Sequence, residues 1–233
     1  MKDTYTPNKI SVQLPTRGRP KDVIEIVNSL IENVSSIDNI EILLKLDDDD
    51  IDSINTLKNE LSEHIGSLVK IVVTPRLGGY FDLPTHHYSL SEVADGEWLF
   101  LFNDDLRLLT KDFDLLVRPY QGQVKFLHSN DVTRCEGWYF PFIHRDIIKT
   151  LGHLSIGTPY CDGWLRVVGE KLDIIEFIPV KLDHIHSDMV YDDTRKHTDT
   201  VNNRSRHAFN WDYHINHPNG LVYKDIETLR DIL

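Results

Sequence analysis

Two short acidic clusters carry the most visible chemistry in the sequence. An apolar stretch at residues 40–46, IEILLKL, runs straight into Asp47, Asp48, Asp49 and Asp50. Residues 97–105, EWLFLFNDD, do the same and deliver Asn103, Asp104 and Asp105 at the end of a hydrophobic run. Like charges this close oppose one another unless a cation, hydrogen-bond donors or solvent relieve them. Carboxylates fixed at a strand end suit Mg²⁺ or Mn²⁺, which one or two protein groups hold while water and substrate phosphate complete the shell. FLFNDDL therefore points to a divalent ion and a phosphate-bearing substrate, although a turn rich in Asn and Asp looks the same. KLDDDDID is not an EF-hand, since counting from Asp47 the glycine at position six and the glutamate at position twelve are missing. A solvated strand-to-helix turn explains it equally well. Arg17 and Arg76 are candidates for a fixed positive charge beside phosphate, though an arginine on a loop is more often solvated. The pairs His86 with His87 and His184 with His186 invite a zinc reading, but neither comes with a matching cysteine or an HExxH helix.

The elements that must position these residues follow from periodicity. Ile10, Val12 and Leu14 alternate and stop at Pro15, which predicts a strand ending in a loop. Pro20 suits a first helical turn, and Val23, Ile24, Val27, Leu30 and Ile31 recur at the 3.6 period. Residues 40–46 read as a strand covered on both faces. Ser53 is a plausible N-cap for a helix carrying Ile54, Leu57, Leu61 and Ile65, with Gly66 to stop it. A strand at 68–74, a loop with Gly78 and Gly79, a helix at 84–94 and a strand at 97–102 complete an alternating series. That order predicts a mostly parallel sheet flanked by helices, with ligands bound beyond the strands' C-terminal ends, where both acidic clusters fall. Beyond residue 106 the pattern predicts helices at 112–117, 144–151 and 160–168, and strands at 124–128, 138–143 and 172–178. From Ser187 the chain turns polar and reads as a mobile loop.

Composition excludes several classes. The 233 residues are 40% apolar, enough for one well-formed core, and Cys135 and Cys161 make neither a disulfide framework nor a CxxC pair. No apolar run approaches the roughly 20 residues of a membrane span, and MKDTYTPNKI lacks the apolar core of a signal peptide. A soluble, cytoplasmic protein is expected. The formal net charge of −12 repels polyphosphate surfaces unless a bound cation or a basic patch compensates.

ISVQLPTRGRP, LLKLDDDDID, RLGG, ADGEWLFLFNDD and TPYCDGWLRVVGEKLDI together resemble, in order and spacing, the family-2 glycosyltransferases of the GT-A fold. The resemblance covers roughly residues 9–186 and implies an α/β, Rossmann-like fold with a polar C-terminal extension. It implies a loop of Pro15 and Thr16, with Arg17 and Arg19, lining a nucleotide pocket, and Asp47 or Asp48 at the base. Asn103, Asp104 and Asp105 match the DxD motif, which puts Asp104 by the ribose and makes Asp105 the ligand of a metal that bridges the donor diphosphate. Asp162 matches the catalytic base, and His186 or His184 the histidine that completes the metal shell. Two departures stand out: Asn103 replaces the first aspartate of the motif, and Cys161 stands where an acid usually precedes the base.

The implied activity is transfer of a sugar from a nucleotide-diphospho-sugar, a UDP-sugar above all, to an acceptor hydroxyl, with Mn²⁺ or Mg²⁺ and with inversion. The implied organisation is a GT-A domain over 1–186, with a nucleotide-binding half at 9–105 and an acceptor half at 106–186, then a lid and tail over 187–233. Two alternatives remain: a degenerate GT-A domain that binds nucleotide or glycan without turnover, or a sugar nucleotidyltransferase. The latter usually carries a glycine-rich basic loop after the first strand, whereas PTRGRPKD has one glycine. Acceptors include a glycan, a lipid-linked sugar or another hydroxyl. DNA is a minor option that rests on Arg195, Lys196, Arg204 and Arg206. Asp131, Glu136 and Asp188 stand in reserve as the base.

Overall fold

The computed structural model describes residues 4–77, 82–132, 140–155, 161–184 and 211–233. Eight strands form one sheet: β1 (Thr6–Pro15), β2 (Ile40–Asp47), β3 (Val69–Thr74), β4 (Gly96–Leu101), β5 (Leu106–Leu108), β6 (Phe126–Asp131), β7 (Phe142–His144) and β8 (Ile175–His184), in the order β3-β2-β1-β4-β7-β6-β8-β5. The β3-β2-β1-β4 half is parallel, as the alternating sequence predicts. β7 runs antiparallel to both β4 and β6, and β8 runs parallel to β6. Hence β6 and β8 point the same way as β1, β2 and β4, and all five strands end on one edge.

Alternation assigns the two faces. Ile42, Leu44, Leu46, Phe100 and Phe102 meet helices α1 (Pro20–Asn33), α2 (Ile51–Glu60) and α4 (Phe113–Val117) on one side. Leu43, Leu99 and Leu101 face α3 (Leu83–Val93), α5 (Arg145–Leu151) and α6 (Cys161–Leu172) on the other. Trp98 is fully buried, as expected of an apolar strand covered on both sides. Pro20 opens α1.

Three expectations need correction. α2 runs from Ile51 to Glu60, so Ser53 is buried inside the helix instead of capping it and Leu61 and Ile65 lie beyond its end; Asp50 in the cap position makes no capping bond and accepts from the Gly18 amide of the neighbouring loop. The strand expected at 172–178 starts at Ile175 and continues to His184, where Ile178, Val180, Leu182 and His184 alternate inward. The chain end is not a polar tail throughout: α7 (Trp211–Asn216) and α8 (Leu221–Leu229) close it, and Val222, Ile226 and Leu229 pack with Trp164 and Ile147. Their i, i+4, i+7 spacing forms an apolar stripe of the kind that docks a helix. Among the described residues no helix is long and apolar enough to cross a membrane.

Candidate functional site

β1 lies between β2 and β4, so the loops that follow these three strands meet at one place. The chain winds outward from β1 to β3 and returns on the other side of β1 as β4. This reversal is where open α/β sheets leave a crevice for ligands. Thr16 Oγ1 donates to Asp104 Oδ2 at 2.8 Å, and Arg19 Nη1 donates to Asp104 Oδ1 at 3.1 Å. Burial pushes the Asp104 carboxyl up to about 6, with Arg19 opposing the shift and neighbouring Asp105 adding to it.

The tetrad after β2 is neutralised from within the fold. Arg17 donates to Asp47 Oδ2 at 3.0 Å and grips both oxygens of Asp49 at 2.5 and 3.1 Å. Lys45 pairs with Asp47 beneath it. The Arg76 backbone amide donates to Asp48 Oδ1 at 3.2 Å and its side chain to Asp49 Oδ2 at 3.3 Å. The hydrogen bond from Arg17, helped by Arg76, holds Asp49 below the usual carboxylate range. Cations and amides thus relieve the like charges that the sequence places side by side.

A second group forms where β4, β6 and β8 end. Leu106 pairs with His184, so the residue before β5, Asp105, reaches the end of β8. Asp105 Oδ2 and His184 Nε2 lie 3.2 Å apart, and His184 Nδ1 is 3.5 Å from Asp131 Oδ2. The Phe140 ring stands edge-on to His184 at 5.1 Å. Asp105 Oδ1 is buried with no hydrogen-bond partner. Among the described residues no three His, Cys, Asp or Glu side chains form a metal-binding cluster. A Mg²⁺ or Mn²⁺ site needs only one or two protein ligands, and a buried carboxylate oxygen without a donor, beside an imidazole, fits that requirement.

No protein-family profile and no curated protein matches the sequence. Solved structures do resemble it. One is the mannosyltransferase PcManGT from Pyrobaculum calidifontis in complex with GDP-Man and Mn²⁺, with TM-score 0.63 and 14% identity over 98% of this chain and 75% of that one. Another is S. aureus TarS 1-349 in complex with UDP, with TM-score 0.57 and 13% identity over 89% of this chain and 75% of that one. The fold is that of the GT-A-like glycosyltransferases. Within this GT-A-like fold Thr16, Arg17, Arg19, Asp47, Asp48, Arg76 and Asp104 gather around the ends of β1, β2 and β4, and Asp105 meets His184. His186 and the polar segment at 187–210 lie outside the described residues, as do Cys135, Glu136 and Asp188.

Asp162 sits in the first turn of α6. That helix leads down to the start of β8, so its N-terminus lies at the edge that carries Asp105. The helix's positive end favours the ionised form, yet burial wins and raises the Asp162 carboxyl, against the backbone amides of Gly163 and Asp162 itself. Burial also pushes the Cys161 thiol up, which leaves it unreactive. Asp131, which sequence reading held only in reserve as a base, is packed against the metal candidates. Its signal was available: residues 126–131, FLHSND, are another partly apolar strand that ends in a carboxylate, like FLFNDD.

Proposed function

We propose that this chain is a metal-dependent glycosyltransferase that moves a sugar from a nucleotide-diphospho-sugar, a UDP-sugar first, to an acceptor hydroxyl with inversion. The observation that carries the reading is the β1–β4 junction, where Thr16 and Arg19 hold Asp104 next to an Asp105 whose Oδ1 has no partner. It is supported by a fold shared with a mannosyltransferase crystallised with GDP-Man and Mn²⁺ and with TarS crystallised with UDP. Thr16, Arg17, Arg19, Asp47, Asp48, Arg76 and Asp104 serve the nucleotide end of the donor. Asp105 and His184, with His186, would hold Mn²⁺ or Mg²⁺, which when bound supplies positive charge to the departing diphosphate. Asp162 takes the acceptor proton as the hydroxyl oxygen bonds to the anomeric carbon and the carbon–oxygen bond to the diphosphate breaks on the opposite face. A carboxylate whose proton affinity is raised by burial is the stronger base for that transfer.

Titration calorimetry of UDP and of GDP, each with Mn²⁺, tests the donor site. The wild-type chain should bind a nucleotide only with the ion present, and Asp105→Ala should lose that binding while its melting temperature stays high. Equal affinity in the variant removes the metal assignment, and failure of both nucleotides to bind removes the glycosyltransferase reading. Release of free sugar from a donor with Mn²⁺ separates a working enzyme from a domain that only binds.

A further inference from the structure

A cavity of about 120 Å³ lies on the opposite face of the sheet from the aspartate tetrad, lined by Asp82, Thr85, Tyr88, His153 and Ser155 with Pro84 and Leu154 between them. α3 starts where the chain leaves the β3 end of the sheet, and α5 climbs from the far edge, so the cavity opens at the edge that carries Asp105 and Asp162. It far exceeds the roughly 10–15 Å³ that a single water requires. Two polar atoms in its lining are buried without any hydrogen-bond partner: His153 Nδ1 and Ser155 Oγ. Ser155 as a whole is 9% exposed. A buried group left unsatisfied costs about 1–3 kcal/mol, which a ligand that supplies the missing bond recovers.

The imidazole is held in one orientation. His153 Nε2 lies 3.1 Å from Asp225 Oδ1, and the other Asp225 oxygen accepts from Trp164 Nε1 at 3.1 Å. A carboxylate accepts only, so neutral His153 carries its proton on Nε2 and presents Nδ1 as an acceptor. Ser155 Oγ both donates and accepts. Among the described residues no lysine or arginine lines the cavity, and Asp82 stands at its rim with Asp225 behind His153. Anions are therefore disfavoured, and paired hydroxyls beside a tyrosine ring are favoured.

We propose that this cavity is a subsite for a neutral sugar ring, with one ring hydroxyl donating to His153 Nδ1, a second bonding to Ser155 Oγ, and Asp225 positioning His153. The inference rests on the glycosyltransferase reading only in naming the hydroxylated ring a sugar. Ligand-observed saturation-transfer NMR with glucose, galactose, mannose and N-acetylglucosamine, each on the order of 10 mM, suited to millimolar affinity, tests it. At least one sugar should give transfer to the wild-type chain, and His153→Ala and Ser155→Ala should each weaken it tenfold or more with Mn²⁺-dependent UDP binding unchanged. No transfer from any of the four, or equal transfer in the variants, overturns the subsite without touching the donor site. If the ring belongs to the donor, the variants reduce UDP-sugar affinity to that of UDP. If it belongs to the acceptor, UDP-sugar affinity stays and transfer slows. Asp225→Asn keeps an acceptor for Trp164 but turns an N–H toward His153, which moves the proton to Nδ1. Long-range ¹⁵N NMR should show that tautomer change together with loss of sugar binding, and binding that survives the change removes the hydroxyl-to-Nδ1 bond.

Discussion

Acid should destabilise this protein through a buried histidine on α3. His87 is buried on α3 against β1. The Gln13 amide satisfies both its ends when Nε2 donates to His87 Nδ1 at 3.2 Å and to the His87 carbonyl at 3.1 Å while Oε1 accepts from Ser91 Oγ at 2.8 Å. Burial, with help from the adjacent His86, pushes His87 down from 6.5 to about 3. A base with a depressed folded value favours the native state fully above its unfolded value and loses that contribution as the pH falls. The window therefore runs from about 6.5 to about 3. At pH 5 the unfolded chain binds a proton that the native chain refuses, a cost of about 2 kcal/mol. Buried His128, pushed down to about 4, adds about as much, whereas Asp104, raised to about 6, gains a proton between pH 7 and 5 and offsets about 1 kcal/mol. His87→Asn isolates the first contribution, since the asparagine oxygen can accept from Gln13 and does not titrate. Urea unfolding at pH 7.5 and pH 5 should show the wild-type chain losing about 2 kcal/mol more than the variant, or roughly 4–8 °C in melting temperature for a chain of this size. The absolute stability of the variant is immaterial, because only the change with pH is compared. Equal losses in the two proteins would refute the assignment.

Two further outcomes follow from close contacts and from placement. Gly96→Ala should cost roughly 3 kcal/mol or more, the upper end for overpacking, because its Cβ would stand 2.6 Å from the Lys9 carbonyl and from Ser11 Oγ; a melting temperature within a degree of wild type contradicts this. Asp162→Asn should bind nucleotide normally and lose transfer by on the order of 10²–10⁴-fold, and in the wild-type chain the acid limb of the rate profile should lie above the ordinary carboxylate range because burial raises Asp162.

The first half of the fold was legible because each element carries its own period. Alternation in β1, continuous apolar runs in β2 and β4, and the 3.6 spacing in α1 are local signals, and strand-to-helix alternation then dictates a parallel sheet with its loops on one edge. Side-chain pairing across those loops was not legible. That Arg17 grips Asp49, or that His184 falls beside Asp131, depends on strand order and register, which spacing along the chain does not encode. Short strands such as Leu106–Leu108 carry too few residues to show a period, yet this one brings Asp105 to His184. The C-terminal helices escaped because six-residue α7 and nine-residue α8 follow a long polar stretch whose composition dominates the region.

The hydrogen bonds of the acidic edge also decide which carboxylate is available to a cation. Charge counting favours the tetrad, with four aspartates against two at the end of β4. But Asp47 faces Lys45 and Arg17, Asp49 faces Arg17 and Arg76, Asp48 accepts from the Arg76 amide, and Asp50 accepts from the Gly18 amide. A divalent ion there would have to displace guanidinium groups already in place, and the charge would then be exchanged rather than gained. Asp104 is held by Thr16 and Arg19. Asp105 alone of these six keeps a buried oxygen with no donor, next to an imidazole that can serve as a second ligand. The denser cluster is therefore the scaffold that fixes the β1 loop, and the sparser one is the place we propose for the ion.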